Sequence, residues 1–125
     1  MTAVIADEKI GLEKETIISR SAINTYGEQG NVRQGEKYSI ENLFYPLLLE
    51  SSNDVAESIA EFDNRYTFLL DMNAKAKLLN MTETFYEDPS GLSSHNVSSA
   101  NDLFKLVQYI SKYRNFIFEI TQEKS

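Results

Sequence analysis

Apolar side chains recur in short bursts at helical spacing along most of this chain, and polar corners separate the bursts. Leu43, Phe44, Leu47 and Leu48 fall three or four residues apart, the repeat that gathers side chains on one face of an α-helix. Ser39 supplies an N-terminal cap and Glu41 lies in the first turn, where a carboxylate favours the helix dipole. That helix is expected to stop near Leu49. After the corner Ser51-Ser52-Asn53, Asp54 and Glu57 have the form of a capping box for a second short helix. Its apolar positions are Val55, Ile59 and Phe62, with Ala56 and Ala60 beside them. Phe68, Leu69, Met72, Ala76 and Leu79 make the longest stripe, over residues 65–79, and Asn80 stands where a left-handed C-terminal cap is expected. Ser98 or Ser99 caps a last long helix whose buried stripe is expected to be Ala100, Leu103, Phe104, Val107 and Ile110. Phe116-Ile117-Phe118 reads as a further short helical turn.

The remaining segments have other signatures. Residues 1–6 are apolar from the first position and carry no cap, so a helix is expected to have been cut into there rather than started. Thr16-Ile17-Ile18 is a β-branched run, Gly27, Gly30 and Gly35 punctuate the next stretch, and Glu36-Lys37-Tyr38 returns as a second short strand. Residues 82–86 alternate polar and apolar side chains ahead of the turn Asp88-Pro89-Ser90-Gly91, so this stretch is expected to be extended. No repeat, low-complexity tract or linker interrupts the chain. Residues 1–125 are therefore expected to form a single, mainly α-helical body with a small β-hairpin.

Composition narrows the function classes. A chain of 125 residues with 42% hydrophobic content can bury one modest core. Twelve basic residues against nineteen acidic ones give a net charge of -7, which opposes a surface that tracks phosphates, so nucleic acid is excluded as a partner. The absence of cysteine removes disulfides and thiolate metal sites, and the lone His95 offers no histidine cluster for a metal. Nothing in the chain resembles a signal peptide, although a start inside a helix would also hide an upstream export signal, and its longest apolar run, Leu47-Leu48-Leu49, is far short of the ~18 residues of a membrane span.

Taken alone, Ser51-Ser52-Asn53 does no more than cap and turn the chain. Its surroundings say more. The run from Gly35-Glu36-Lys37-Tyr38-Ser39-Ile40-Glu41-Asn42-Leu43 into Leu47-Leu48-Leu49-Glu50-Ser51-Ser52-Asn53-Asp54-Val55-Ala56 is similar to the block around the Ser-x-Asn motif of serine D-alanyl-D-alanine carboxypeptidases of the penicillin-binding type. Met72-Asn73, Lys75-Ala76, Leu79-Asn80-Met81-Thr82 and Thr84-Phe85 resemble the next stretch of that family. Asp88-Pro89-Ser90-Gly91-Leu92 with Ser98-Ser99-Ala100-Asn101-Asp102-Leu103 resembles the one after. Met1-Thr2-Ala3 resembles the triplet after the family's Ser-x-x-Lys on the same helix, so the likeness runs over nearly the whole chain.

The resemblance implies the helical subdomain of the β-lactamase/transpeptidase-like fold, with the central antiparallel sheet largely missing from this chain. It also implies acyl transfer. A serine attacks the terminal D-Ala-D-Ala amide of a peptidoglycan stem peptide, D-alanine leaves, and the acyl-enzyme is hydrolysed; β-lactams enter the same route. Serine needs an adjacent base to act as a nucleophile, and the family supplies the lysine of Ser-x-x-Lys. Those two residues are expected just before Met1, and the Lys-Thr-Gly that binds the substrate carboxylate does not occur in this sequence. The chain alone is accordingly expected to be inactive. Ser51 matches the serine that relays a proton to the leaving amine, and Asn53 the asparagine whose amide holds the substrate backbone and the lysine. No cofactor or metal is implied, and the location implied for the parent protein is extracytoplasmic, in the cell envelope.

Two positions depart from the family pattern. Ser52 stands where glycine is common and is expected to narrow the cleft slightly; Pro46 lies inside a helix, where it removes a backbone donor and should kink the helix. They motivate an alternative, a non-catalytic homologue that binds peptidoglycan or a protein. A class A β-lactamase is disfavoured because Ser52 replaces the aspartate of Ser-Asp-Asn. His95 reads as a surface loop residue, Glu87 and Asp88 as turn residues, and the aromatic side chains mostly as core. A helical body without its sheet should expose an apolar face, so self-association through that face is expected.

Overall fold

The computed structural model describes residues 1–18 and 35–123. Gly27 and Gly30, expected as loop positions, lie outside the described residues. Helix α1 (Thr2–Ile5) runs directly into a π-helical stretch, Ala6–Ile10, in which the Gly11 amide reaches back five residues to the Ala6 carbonyl at 3.0 Å. Gly11 ends it at φ 106, a conformation that a side chain disfavours. Ala3, Val4, Ile5 and Ala6 are all buried, so this short rod is threaded through the core rather than laid upon it.

Strands β1 (Glu15–Ile17) and β2 (Lys37–Ser39) pair antiparallel with Thr16 opposite Tyr38, which is the expected hairpin. Helix α2 (Ile40–Leu49) comes immediately afterwards, and its cap is Ser39, whose hydroxyl accepts from the Asn42 amide at 3.1 Å. Helices α3 (Asn53–Ala60) and α4 (Arg65–Leu78) come next. Asn64 caps α4, and Asn80 at φ 59 closes it: the Met81 amide bonds to Ala76 O at 2.8 Å and the Asn80 amide to Lys77 O at 3.0 Å, the paired bonds of a Schellman stop. A long loop leads to α5 (Ala100–Tyr113), capped by Ser99, and to α6 (Phe116–Thr121). The extended reading of residues 82–86 survives as one antiparallel bridge, Phe85 to Val97.

Three local expectations need correction. The cap of α3 is Ser52, whose hydroxyl accepts from the Val55 amide, while Asp54 lies inside the helix and Glu57 turns to Arg65. Helix α3 ends at Ala60, so Phe62 falls in the turn beyond it and is partly exposed. On α5 the buried ridge is Asp102, Leu106 and Ile110, whereas Ala100, Leu103, Phe104 and Val107 are exposed. The phase of that helix is set by a polar side chain: the Asp102 carboxylate accepts from the Glu83 amide at 2.8 Å and from the Thr84 hydroxyl at 2.7 Å.

The core gathers Val4 and Ile5 of α1, Ile40, Leu43 and Phe44 of α2, Val55 and Ile59 of α3, and Met72 of α4, all at or near zero exposure. Phe44 stacks on Phe116 with ring centres 6.1 Å apart, which docks α6 against α2. A partly buried charged cluster ties the π-helical stretch to α4 and α5. Lys75 Nζ lies 2.7 Å from Glu8 and donates to the Tyr109 hydroxyl at 2.8 Å; Tyr109 in turn donates to Glu8. Arg114 pairs with Asp7 at 2.9 Å and Glu8 at 3.1 Å.

Candidate active site

The corner between α2 and α3 is built from opposing local demands. The last turn of α2 is closed by the Pro46 carbonyl, which accepts from the Glu50 amide at 3.2 Å and again from the Ser52 amide at 3.1 Å. The intervening residue, Ser51, must then reverse the chain, and it does so at φ 52. Left-handed backbone costs a side-chain-bearing residue roughly 1–2 kcal/mol. Pro46 therefore contributes to the corner, because a proline carbonyl remains a full acceptor although its nitrogen has no hydrogen to donate. Helix α2 runs unbroken across it.

Ser51 is exposed at the apex, and Asn53, the first residue of α3, is largely buried two residues on. Ser52 between them is 1% exposed at φ -67 and ψ 112, an ordinary extended conformation, and its hydroxyl is spent on the helix cap. Its side chain is buried against α3. Among the described residues, then, the two expected site residues share one turn of chain, with the departure from the family pattern folded away beneath them.

Helix α3 is buried along its whole length, polar residues included. Glu57 is answered by a fork from Arg65, with Nε at 2.8 Å and Nη2 at 3.3 Å. Asp54 has no exposed surface, and among the described residues neither of its carboxylate oxygens has a hydrogen-bond partner; the Ser58 hydroxyl one turn later is also unpartnered. Burial pushes the Asp54 carboxyl above the usual carboxylate range, because charge is costly away from water.

The loop 81–99 is braced by side-chain hydrogen bonds to its backbone. Asn73 on α4 brackets its backbone, donating to Tyr86 O at 2.9 Å and accepting from the Tyr86 amide at 2.8 Å. Farther along, Asp88 accepts from the amides of Gly91 at 2.7 Å and Ser93 at 2.6 Å. Asn96 accepts from the amides of Glu87 and Asp88 and donates to Asp88 Oδ1 at 2.9 Å. Pro89 is buried, and its carbonyl accepts from the Thr2 hydroxyl on α1 at 2.6 Å. His95 is exposed beside Glu87, with its Nδ1 at 2.9 Å. The Ser93 and His95 hydrogen bonds hold the Glu87 carboxyl below its usual range. Sequence patterns assigned no role to Thr2, Asn73, Asn96 or Asp102, since each acts on backbone beyond the reach of a helical or strand repeat. Among the described residues no group of three His, Asp or Glu could hold a metal ion.

The family described as D-alanyl-D-alanine carboxypeptidase matches residues 1–125. The D-alanyl-D-alanine endopeptidase of Pseudomonas aeruginosa is 37% identical over 117 residues, covering 90% of this chain and 38% of that protein. The D-alanyl-D-alanine endopeptidase of Escherichia coli K12 is 36% identical over 117 residues, with the same coverage of 90% and 38%. Among solved structures, the D-alanyl-D-alanine carboxypeptidase of Mycobacterium tuberculosis superposes with a TM-score of 0.90 at 27% identity, over 98% of this chain and 47% of that one. The chain thus spans less than half the length of these relatives.

Proposed function

The chain belongs to the D-alanyl-D-alanine carboxypeptidase family, and from that premise we propose that residues 1–125 are the helical part of the catalytic domain of a serine peptidase acting on peptidoglycan stem peptides that end in D-Ala-D-Ala. In this reading the serine and lysine of Ser-x-x-Lys precede Thr2 on the helix of α1. The serine oxygen adds to the carbonyl of the penultimate D-alanine, the amide C–N bond breaks, and terminal D-alanine departs with a proton delivered through Ser51. Asn53 holds the substrate backbone and the lysine through its amide. Water then cleaves the ester and frees the serine. β-Lactams acylate the same serine, and the protein works outside the cytoplasm in the cell envelope. Among the described residues no helix is long and apolar enough to cross a membrane.

The observation that carries this reading is the backbone of Ser51. A serine held left-handed at an exposed apex stores strain that folding alone would remove with glycine, and such strain concentrates at functional sites. Catalysis is supported over a non-catalytic homologue by the local roles of the two departures: Ser52 caps α3 from inside, and the Pro46 carbonyl accepts twice at the corner. The names of the Pseudomonas and Escherichia relatives favour a second reading of the bond cleaved, an endopeptidase acting on cross-links rather than on the free stem terminus. In the isolated chain, the uncovered apolar positions of α5 support self-association.

Fluorescent penicillin tests the proposal. The 125-residue chain is expected to stay unlabelled and the complete protein to be labelled, with Ser51→Ala or Asn53→Ala slowing acylation by about 100-fold. Labelling of the isolated chain, or full-rate labelling of both variants, overturns the assignment. A pentapeptide ending in D-Ala-D-Ala and a cross-linked dimer, offered in parallel, separate the two readings of the bond.

A further inference from the structure

Apolar packing alone leaves α1 underdetermined. Ala3, Val4, Ile5 and Ala6 are buried among aliphatic neighbours, and such contacts fix how close a helix lies while leaving its rotation and axial slide weakly specified. Directional bonds settle those two coordinates. The π-helical stretch supplies them at the far end through Asp7 and Glu8. At the near end the hydroxyl of Thr2, only 9% exposed, donates at 2.6 Å to the carbonyl of Pro89, across 87 positions of sequence.

That acceptor sits on a braced loop. Asp88 and Asn96 together engage the backbone amides of Glu87, Asp88, Gly91 and Ser93, and Asn96 also donates to Ser93 O at 3.1 Å. Loops of this length are ordinarily mobile, whereas side-chain bonds to successive amides leave little freedom for the carbonyl between them. The Pro89 ring fixes one of its own dihedrals as well. The bond therefore joins α1 to a rigid point.

We propose that Thr2 is a positioning residue for the nucleophile helix, setting the rotation of α1 against the loop 87–96 through the Pro89 carbonyl. The inference rests on the proposed peptidase function, which puts the nucleophile on this helix more than a turn ahead of Thr2. A hydroxyl locked in register lowers the cost of reaching the attack geometry, and a displacement of a fraction of an ångström there slows the chemical step without weakening binding. Shape alone does not account for the arrangement, since valine fills the same volume and lacks the donor.

The test uses the complete protein and the kinetics of acylation by fluorescent penicillin, resolved into the binding constant and the acylation rate. Thr2→Val is expected to lower the acylation rate about tenfold with binding unchanged, and Thr2→Ser to restore it to within about twofold. Asn96→Ala, which loosens the loop from a position off the helix, is expected to reproduce the loss and to add little when combined with Thr2→Val, because both act through one contact. It also serves as the readout should Thr2→Val fail to fold. Unaltered acylation in Thr2→Val and Asn96→Ala, a Thr2→Ser variant as slow as Thr2→Val, or fully additive losses overturns the positioning role. An unsubstituted protein that penicillin does not label overturns the peptidase reading, and this inference with it.

Discussion

Ser51 illustrates how a single residue can be at odds with its own backbone. Its left-handed conformation suits glycine, yet serine occupies it at the exposed apex of the α2–α3 corner. The residue pattern placed Ser51 at a corner and the family likeness gave it a role, while the strain became visible only with coordinates. Comparing Ser51→Gly with Ser51→Ala isolates it, because both remove the hydroxyl and only glycine relieves the backbone. Glycine is expected to leave the protein about 1 kcal/mol more stable than alanine in urea unfolding, with acylation slowed alike in both. Greater stability in the alanine variant would show that the corner is unstrained. Asp54 is a second such residue, buried without a hydrogen bond among the described residues, on a helix that contacts the proposed site at its first residue. Its place in the sequence suggested a cap, and nothing local distinguishes a cap from a buried acid.

At the scale of elements, caps and stops were largely legible because they are local chemistry. Ser39, Ser99 and the left-handed Asn80 act where the sequence put them. The cluster that joins the π-helical stretch to α4 and α5 was not legible, since Glu8 and Lys75 lie on distant segments and no periodicity links them. Burial pushes the Glu8 carboxyl up, but its hydrogen bonds from Lys75 and Tyr109 and the charges of Lys75 and Arg114 together hold it below the ordinary value of 4.5. Folding thus favours ionised Glu8, so the cluster contributes fully above pH 4.5 and its contribution is lost as the pH falls through the depressed folded value. Lys75→Met is expected to cost about 2 kcal/mol at pH 7, with the gap to the unsubstituted protein closing on acidification below the Glu8 range. Burial raises the Asp7 and Asp54 carboxyls, which act in the opposite sense, but both proteins share them. Urea unfolding at pH 7 and at successively lower pH checks this; a constant gap would mean that Glu8 is not the titrating partner.

At the scale of the whole molecule, the phase of α5 departs from its apolar pattern. Leu103, Phe104, Leu106, Val107 and Ile110 form an apolar arc wider than the described residues cover, leaving Phe104 at 62% exposure. The Asp102 carboxylate, bound to the Glu83 amide and the Thr84 hydroxyl, turns that arc so that only part of it meets the core. Exposed apolar faces of this kind promote association. The isolated chain is expected to self-associate at high concentration by light scattering, and Phe104→Glu with Val107→Lys to restore the monomer. A clean monomer in the unsubstituted chain, or association unaffected by the double substitution, counts against this face.

The sequence by itself determined most of the helices, the caps at Ser39 and Ser99, the stop at Asn80 and the ordered blocks that carry the family likeness, because each depends on neighbours within a turn or two of chain. Only tertiary structure decided which arc of α5 faces inward, where the carboxyls of Asp54 and Glu8 lie, and that Thr2 meets Pro89. Those outcomes rest on directional polar contacts and burial between distant segments, which local propensity does not encode.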